Sequence, residues 1–252
     1  MSAKKILMPL PAYGFDPTEV AIPWKILSEQ GLDVIFATPD GGEACADVLM
    51  LKGQRLGIWK PLLRARADAV AAYDQMQASR AFAEPCTYKE LYAANFDALL
   101  LPGGHDKGVK EYLESTVLQN TVADFFIANK PVAAICHGVV LAARSINPNT
   151  GKSVLHNYRT TALLKNQEML AYRLTRRWLQ DYYRTYPEIT VEDEVRKALS
   201  SDDDFLTGPS PLFRDDHEHL HRGFTVLDRN YLSARWPGDA YGFATRFAEM
   251  LV

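Results

Sequence analysis

The chain is predicted to be an α/β protein, with a mostly parallel sheet covered by helices on both faces. Three observations carry the prediction. Short apolar runs alternate with amphipathic stretches along the chain, the pattern of a parallel sheet crossed over by helices. The first 38 residues read as strand, helix and strand. Pro131-Val132-Ala133-Ala134-Ile135-Cys136-His137-Gly138-Val139-Val140-Leu141 reads as a buried strand that breaks at a cysteine and becomes a helix.

Each element has its own warrant. Residues 5–9 form an apolar strand. Residues 17–30 form a helix that Asp16 caps, Pro17 starts and Gly31 stops. Residues 33–38 form the second strand, residues 98–101 a third, residues 115–128 a helix, residues 132–135 a fourth strand, and a further helix follows Gly138. Near the end, residues 223–235 read as two strands turning at Asp228-Arg229-Asn230, and a last helix begins at about Asp239. Residues 1–252 are expected to form one elaborated domain with insertions at about 44–90 and 166–222. The first insertion has helical spacing over residues 61–76 and is expected to lie over the pocket as a lid. The second opens with a long helix, residues 167–183, whose Arg173, Arg176, Arg177 and Arg184 read as a solvated face. Its acidic triplets Glu192-Asp193-Glu194 and Asp202-Asp203-Asp204 flank another short helical pattern, and Pro209 and Pro211 mark a loop.

Composition excludes several function classes. A net charge of -3 gives no basic field for nucleic acid or anionic lipid, and no run of Lys or Arg forms a binding stripe. Small molecules or peptides are the better candidates for partners, and the family resemblance described below narrows these to small carbonyl or amide substrates. The N-terminal apolar run is too short for a signal peptide and no later segment approaches a membrane span, so the expected location is the cytoplasm. Cys45, Cys86 and Cys136 are odd in number and widely spaced, which suits a reducing compartment and argues against a disulfide framework or a paired-cysteine metal knuckle.

Cys136 is the candidate nucleophile. Ala134 and Gly138, two residues to either side, are small enough for a sharp strand-to-helix turn, and the helix start is expected to stabilise a thiolate and lower its pKa. The alternative is a buried structural cysteine. In a parallel sheet the run Leu101-Pro102-Gly103-Gly104-His105 ends beside it, so the N–H groups of Gly104 and His137 can form an oxyanion hole; the alternative is a plain tight turn. Glu19, in the first turn of the first helix, points into the same crevice. It either serves the helix dipole or faces Cys136 with a raised pKa and moves a proton. His137 needs a third group to orient its ring, and Glu168 and Asp239 are the candidates. The stretch Asp215-Asp216-His217-Glu218-His219-Leu220-His221 lacks helical ligand spacing and reads as a solvated turn, so no metal is expected and no cofactor is called for. Cys45 and Cys86 read as structural.

These residues resemble the ThiJ/PfpI superfamily, whose fold is similar to class I glutamine amidotransferase domains. The matching positions are Glu19 with Pro23, the turn Ala37-Thr38-Pro39-Asp40-Gly41-Gly42, the run from Leu101 to His105, and Ala134-Ile135-Cys136-His137-Gly138. They lie in the first 145 residues, and Tyr231-Leu232-Ser233-Ala234-Arg235-Trp236-Pro237-Gly238 looks like the family's last strand and following loop. The resemblance implies a flavodoxin-like three-layer sandwich, a nucleophile at Cys136 hydrogen-bonded to Glu19, and an oxyanion hole from Gly104 and His137. A glutamine amidotransferase would carry a late Pro-x-His-x-Glu segment, which is missing, so glutamine hydrolysis is not expected. The Cys-His pair, the Gly-Gly-His turn and the insertion after strand two look most like heat-shock chaperones with glutathione-independent glyoxalase activity. That implies a thiohemiacetal on Cys136, a proton shuttled by Glu19 with help from His137, and lactate as product from methylglyoxal. Val139 stands where that branch commonly has proline, and the second insertion is longer. An amidase or peptidase of PfpI type, and a non-enzymatic chaperone or oxidative-stress sensor, are the alternatives. A homo-oligomer, most simply a dimer, is expected by resemblance.

Overall fold

The computed structural model describes residues 3–252; Met1 and Ser2, which open the run weighed as a signal peptide, lie outside the described residues. Seven strands form the central sheet: β1 (Lys5–Pro9), β2 (Asp33–Thr38), β3 (Cys86–Thr87), β4 (Ala98–Leu101), β5 (Val132–Ile135), β6 (Thr225–Asp228) and β7 (Tyr231–Ala234). Their spatial order is β6, β7, β5, β4, β1, β2, β3, and every pairing is parallel except the hairpin of β6 with β7. The predicted α/β/α sandwich is present. Helices α1 (Pro17–Glu29), α2 (Ala67–Gln77) and α7 (Ala240–Glu249) pack together. A second group joins α4 (Gly138–Arg144) to α3 (Thr116–Ile127) and α6 (Val191–Ala198), with α5 (Lys165–Leu179) lying against α6.

Strands β4 (Ala-Leu-Leu-Leu) and β5 (Val-Ala-Ala-Ile) are buried at every position, as strands covered on both faces must be. Their small and branched residues leave no polar side chain to satisfy, and they place two turns side by side at the carboxyl ends of neighbouring strands. At Gly138 a Cβ would stand 2.0 Å from the Leu101 carbonyl oxygen, so only glycine lets α4 start this close to β4.

Two expectations about the insertions are corrected. The stretch 44–90 is not a single lid, because α2 is the crossover helix of the sheet itself and β3 pairs with β2 through Ala37 and Cys86. Helical spacing over residues 61–76 is broken by an extended Arg64, and only the part before it lies over the cavity described below. In the second insertion, Glu192, Asp193 and Glu194 form the first turn of α6 instead of flanking it, where their charge suits the helix dipole. Arg173, Arg176 and Arg177 are exposed as expected, but Arg184 is not: it reaches inward to Glu168 at 3.2 Å.

The C-terminal segment is locked by a wholly buried ion pair. Arg235 Nε and Nη2 donate to Asp239 Oδ2 and Oδ1 at 2.9 and 3.0 Å, and Arg235 Nη1 donates to the carbonyls of Thr207 and Pro209. Asp239 also accepts from the N–H of Phe224, so nearly all its lone pairs are used. Asp215, also buried, accepts from the N–H groups of Tyr241 and Gly242 at the start of α7. Asp216 holds His219 at 2.8 Å, with Arg66 and Arg222 at 4.0 and 3.8 Å; the two guanidiniums disfavour a cation at the Asp216, Glu218, His219 group. Among the described residues no helix is long and apolar enough to cross a membrane.

Candidate active site

Cys136 occupies the turn between β5 and α4 with φ of +56°, a region a non-glycine residue enters only at a cost of about 1–3 kcal/mol. Neighbours enforce it: the Cys136 N–H donates to Ala234 in β7, and Val139 N–H returns to the Cys136 carbonyl. The side chain is fully buried, and Sγ lies 3.5 Å from Nδ1 of His137.

Glu19 arrives from the opposite side. Asp16 caps α1 by accepting from the N–H groups of Thr18 and Glu19, which fixes the first turn and turns the Glu19 side chain into the interior. Oε2 accepts from Gly103 N–H at 2.9 Å, whereas Oε1 is buried without a hydrogen-bond partner. Gly103 is the hinge of this geometry. A Cβ there would lie 2.6 Å from His137 N, 2.9 Å from Glu19 Oε2 and 3.1 Å from Cys136 Cβ, filling the space the three groups share. Gly104 N–H has no acceptor among the backbone and side-chain groups of the described residues, whereas His137 N–H is directed at the Cys136 sulfur, where it favours the thiolate.

Electrostatics at the site are governed by burial. It pushes the Glu19 carboxyl well above its usual range, and the nearby Asp16 charge adds to the rise. Burial, followed by the Glu19 and Asp16 charges, also pushes the Cys136 thiol well up, so the expected lowered thiol pKa is corrected. One end of a seven-residue helix, worth at most about 2 kcal/mol, does not offset complete desolvation. His137 is pushed well down, first by burial and then by His105 and Arg144, and is neutral at neutral pH. The resting set is therefore a thiol, a carboxylic acid and a neutral imidazole.

Neither candidate for orienting His137 reaches it. Glu168 pairs with Arg184 and accepts from Val191 N–H at 2.9 Å, while Asp239 is consumed by Arg235. Aromatic packing holds the ring instead: His105 meets His137 edge-on with centroids 5.1 Å apart, and His105 meets Tyr183 in the same way at 5.1 Å. His105 closes the Gly-Gly-His turn, and the signal in the sequence that could have marked it is its place directly after a strand end. His105, Cys136 and His137 also offer ligand atoms within 4.8 Å of one another, a set that suits a soft cation and would occupy the nucleophile if one bound. Cys45, Cys86 and Cys136 are all free thiols.

A cavity of about 160 Å³ adjoins this cluster. Asp16, His105 and Tyr183 border it with Arg214, and its remaining wall is mainly apolar, from Met50, Leu62 and Leu63 of the first insertion, Ala171 and Leu174 of the second, and Leu163 just before it. Larger surface hollows lie elsewhere, one of about 720 Å³ beside Arg173 and Glu192, but none of the catalytic candidates borders that one.

A family model described as ThiJ/PfpI family-like matches residues 10–209. The chain belongs to that family. This ThiJ/PfpI-like chain is 32% identical over 123 residues to an uncharacterized protein of Schizosaccharomyces pombe, covering 48% of the chain and 45% of the relative. It is 29% identical over 133 residues to Protein DJ-1 homolog D of Arabidopsis thaliana, covering 51% of the chain and 29% of the relative. The chain thus matches less than half the length of either relative. Among solved structures, glyoxalase III from Candida albicans superposes with a TM-score of 0.70 at 16% identity, over 98% of this chain and 96% of that one, a likeness of fold.

Buried acids give the ThiJ/PfpI-like chain a recognisable pH response. Desolvation lifts Asp47 to about 6, and Glu168 and Asp215 each to about 7. A carboxyl whose folded pKa is raised contributes stability that is complete below its unfolded pKa and is lost as pH rises through the folded value. The melting temperature is therefore expected to be higher at pH 6 than at pH 8. Below about 6.5 the buried neutral histidines His105, lowered to about 4, and His137 begin to oppose the trend. Differential scanning calorimetry across this range checks it, and Glu168→Gln should flatten the slope; a melting temperature rising steadily from pH 6 to 8 contradicts the assignment.

Proposed function

We propose that this protein is a cofactor-independent cysteine enzyme that converts small 2-oxoaldehydes to 2-hydroxy acids, with methylglyoxal to lactate as the simplest case. The observation that carries the reading is the enclosed triplet: Cys136 Sγ 3.5 Å from a neutral His137 Nδ1, beside a fully buried Glu19 whose Oε1 has no other partner. The fold shared with a glyoxalase III supports it.

The protons can be followed through the cycle. Sulfur attacks the aldehyde carbon, the thiol proton passes to His137 Nδ1, and the aldehyde oxygen takes the proton of Glu19; the Gly104 and His137 N–H groups stabilise charge on that oxygen. Glu19, now a carboxylate, removes the hydrogen on the thiohemiacetal carbon while protonated His137 gives its proton to the neighbouring ketone oxygen, forming an enediol. Glu19 returns its proton to the second carbon and His137 accepts the hydroxyl proton at the first, giving a 2-hydroxy thioester. Water then attacks with Glu19 as base, the carbon-sulfur bond breaks, and His137 reprotonates the thiol. The first carbon is oxidised to the acid as the second is reduced to the alcohol, so no external redox partner is needed.

A sulfur with no exposed surface suits a small aldehyde better than a peptide chain, and a thiol raised by burial is a poor peroxide sensor. These two observations set the peptidase and sensor readings behind the carbonyl reading. The test is lactate formation from methylglyoxal by metal-stripped protein without glutathione. Lactate produced in proportion to protein supports the proposal, and none from well-folded protein overturns it.

A further inference from the structure

The cavity beside His105 has a composition that the chemistry at Cys136 does not require. Four residues of its border each carry a buried polar atom without a hydrogen-bond partner: His105 Nδ1, Gln167 Oε1, Tyr183 Oη and Trp236 Nε1. Polarity is also segregated. His105 meets Tyr183 edge-on, and Arg214 lies within electrostatic reach of both Asp16 and Tyr183, so these four polar side chains of the border neighbour one another. Leucine, methionine and alanine side chains from both insertions enclose much of the rest.

Size narrows the occupant. An apolar cavity of roughly 150 Å³ accommodates a benzene molecule, and this one measures about 160 Å³. Methylglyoxal, with a single methyl beyond its two carbonyls, leaves most of that space empty. Position matters as well: the His105 ring borders the cavity and packs edge-on against His137, which puts the cavity one ring away from the catalytic cluster.

We infer that this cavity binds an apolar, benzene-sized tail of the substrate, so that the enzyme's preferred 2-oxoaldehyde carries an aryl or comparably bulky branched group in place of the methyl of methylglyoxal. The inference rests on the carbonyl chemistry proposed above only for the reacting end; the tail site stands on the cavity itself. The reaction is the same balanced one, phenylglyoxal plus water giving mandelate, with the carbon-sulfur bond formed at the aldehyde carbon and broken by water.

The experiment has two arms on the full chain. Initial rates are measured with phenylglyoxal and with methylglyoxal, and binding of acetophenone, which has the tail but no aldehyde to form a thiohemiacetal, is measured by calorimetry. We expect kcat/KM at least about tenfold higher for phenylglyoxal, together with saturable one-to-one binding of acetophenone. Ala171→Phe and Leu174→Trp, which fill the cavity, are expected to abolish acetophenone binding and to lower the ratio of phenylglyoxal to methylglyoxal kcat/KM about tenfold or more; whichever retains the wild-type melting temperature serves. No saturable acetophenone binding, or equal binding in a folded filled variant, overturns the tail site. A preference for methylglyoxal overturns the substrate class. Acetophenone binding without turnover of either aldehyde supports the tail site and overturns the carbonyl chemistry instead, so the two failures are distinguishable.

Discussion

Cys136→Ala is expected to abolish lactate formation, lowering kcat/KM by at least about a thousandfold, because no other group at the site can form the bond to carbon. Cys136→Ser is expected to fall nearly as far, since a neutral buried imidazole is too weak a base to activate a hydroxyl. Glu19→Gln separates structure from chemistry. The amide oxygen can still accept from Gly103 N–H, so the turn is held, but no proton can be given or taken, and a loss of about a hundredfold or more is expected. Melting temperatures measured beside the rates decide the matter: Glu19→Gln with wild-type stability and wild-type rate would remove Glu19 from the mechanism.

The second large effect concerns stability. Asp239→Ala leaves the Arg235 guanidinium buried without its counter-charge, a loss of about 3–5 kcal/mol. For a chain of this size that corresponds to a fall in melting temperature of about 6–20 °C. Arg235→Met is expected to cost less, because a buried carboxyl can take up a proton, whereas a guanidinium cannot shed one. It also releases the carbonyls of Thr207 and Pro209, so the loop continuing to Pro211 and Leu212 at the cavity rim is expected to loosen, which hydrogen exchange would register as faster exchange at the amides of residues 207 and 208. Thermal melts of the two variants in which Asp239→Ala falls by less than about 3 °C would show that the pair contributes little.

Periodicity carried the sheet. Strands β1, β2, β4 and β5 fall where alternating apolar runs place them, because a strand covered on both faces has no choice of residue type. The same force made the site legible: Cys136, Glu19, Gly104 and His137 lie at strand ends and a helix start, places that local pattern locates well. What pattern could not supply was partnership. Glu168 and Asp239 read as free acids available to His137, yet each answers to an arginine, and those pairings cross distances that no spacing rule encodes. Burial was the other hidden quantity. The helix dipole at Cys136 is local and visible in the sequence, whereas the desolvation that outweighs it depends on everything packed around the sulfur. The two-residue β3 was missed because so short a strand carries no periodicity, and with it the fact that α2 belongs to the sheet and not to a lid.

The pairing of Val132 with Tyr231 has a consequence during synthesis. The nucleophile sits at the end of β5, whose outer neighbour β7 is made roughly a hundred residues later; closing so long a loop delays a non-local contact. Until β7 arrives, β5 is an unpaired edge and the backbone of Cys136 lacks its acceptor in Ala234. A ribosome-bound chain that stops short of residue 231 would therefore hold the cysteine in an unstrained, wet turn, and reactivity at this position would switch from that of an ordinary thiol to that of an enclosed one only as the last strand docks.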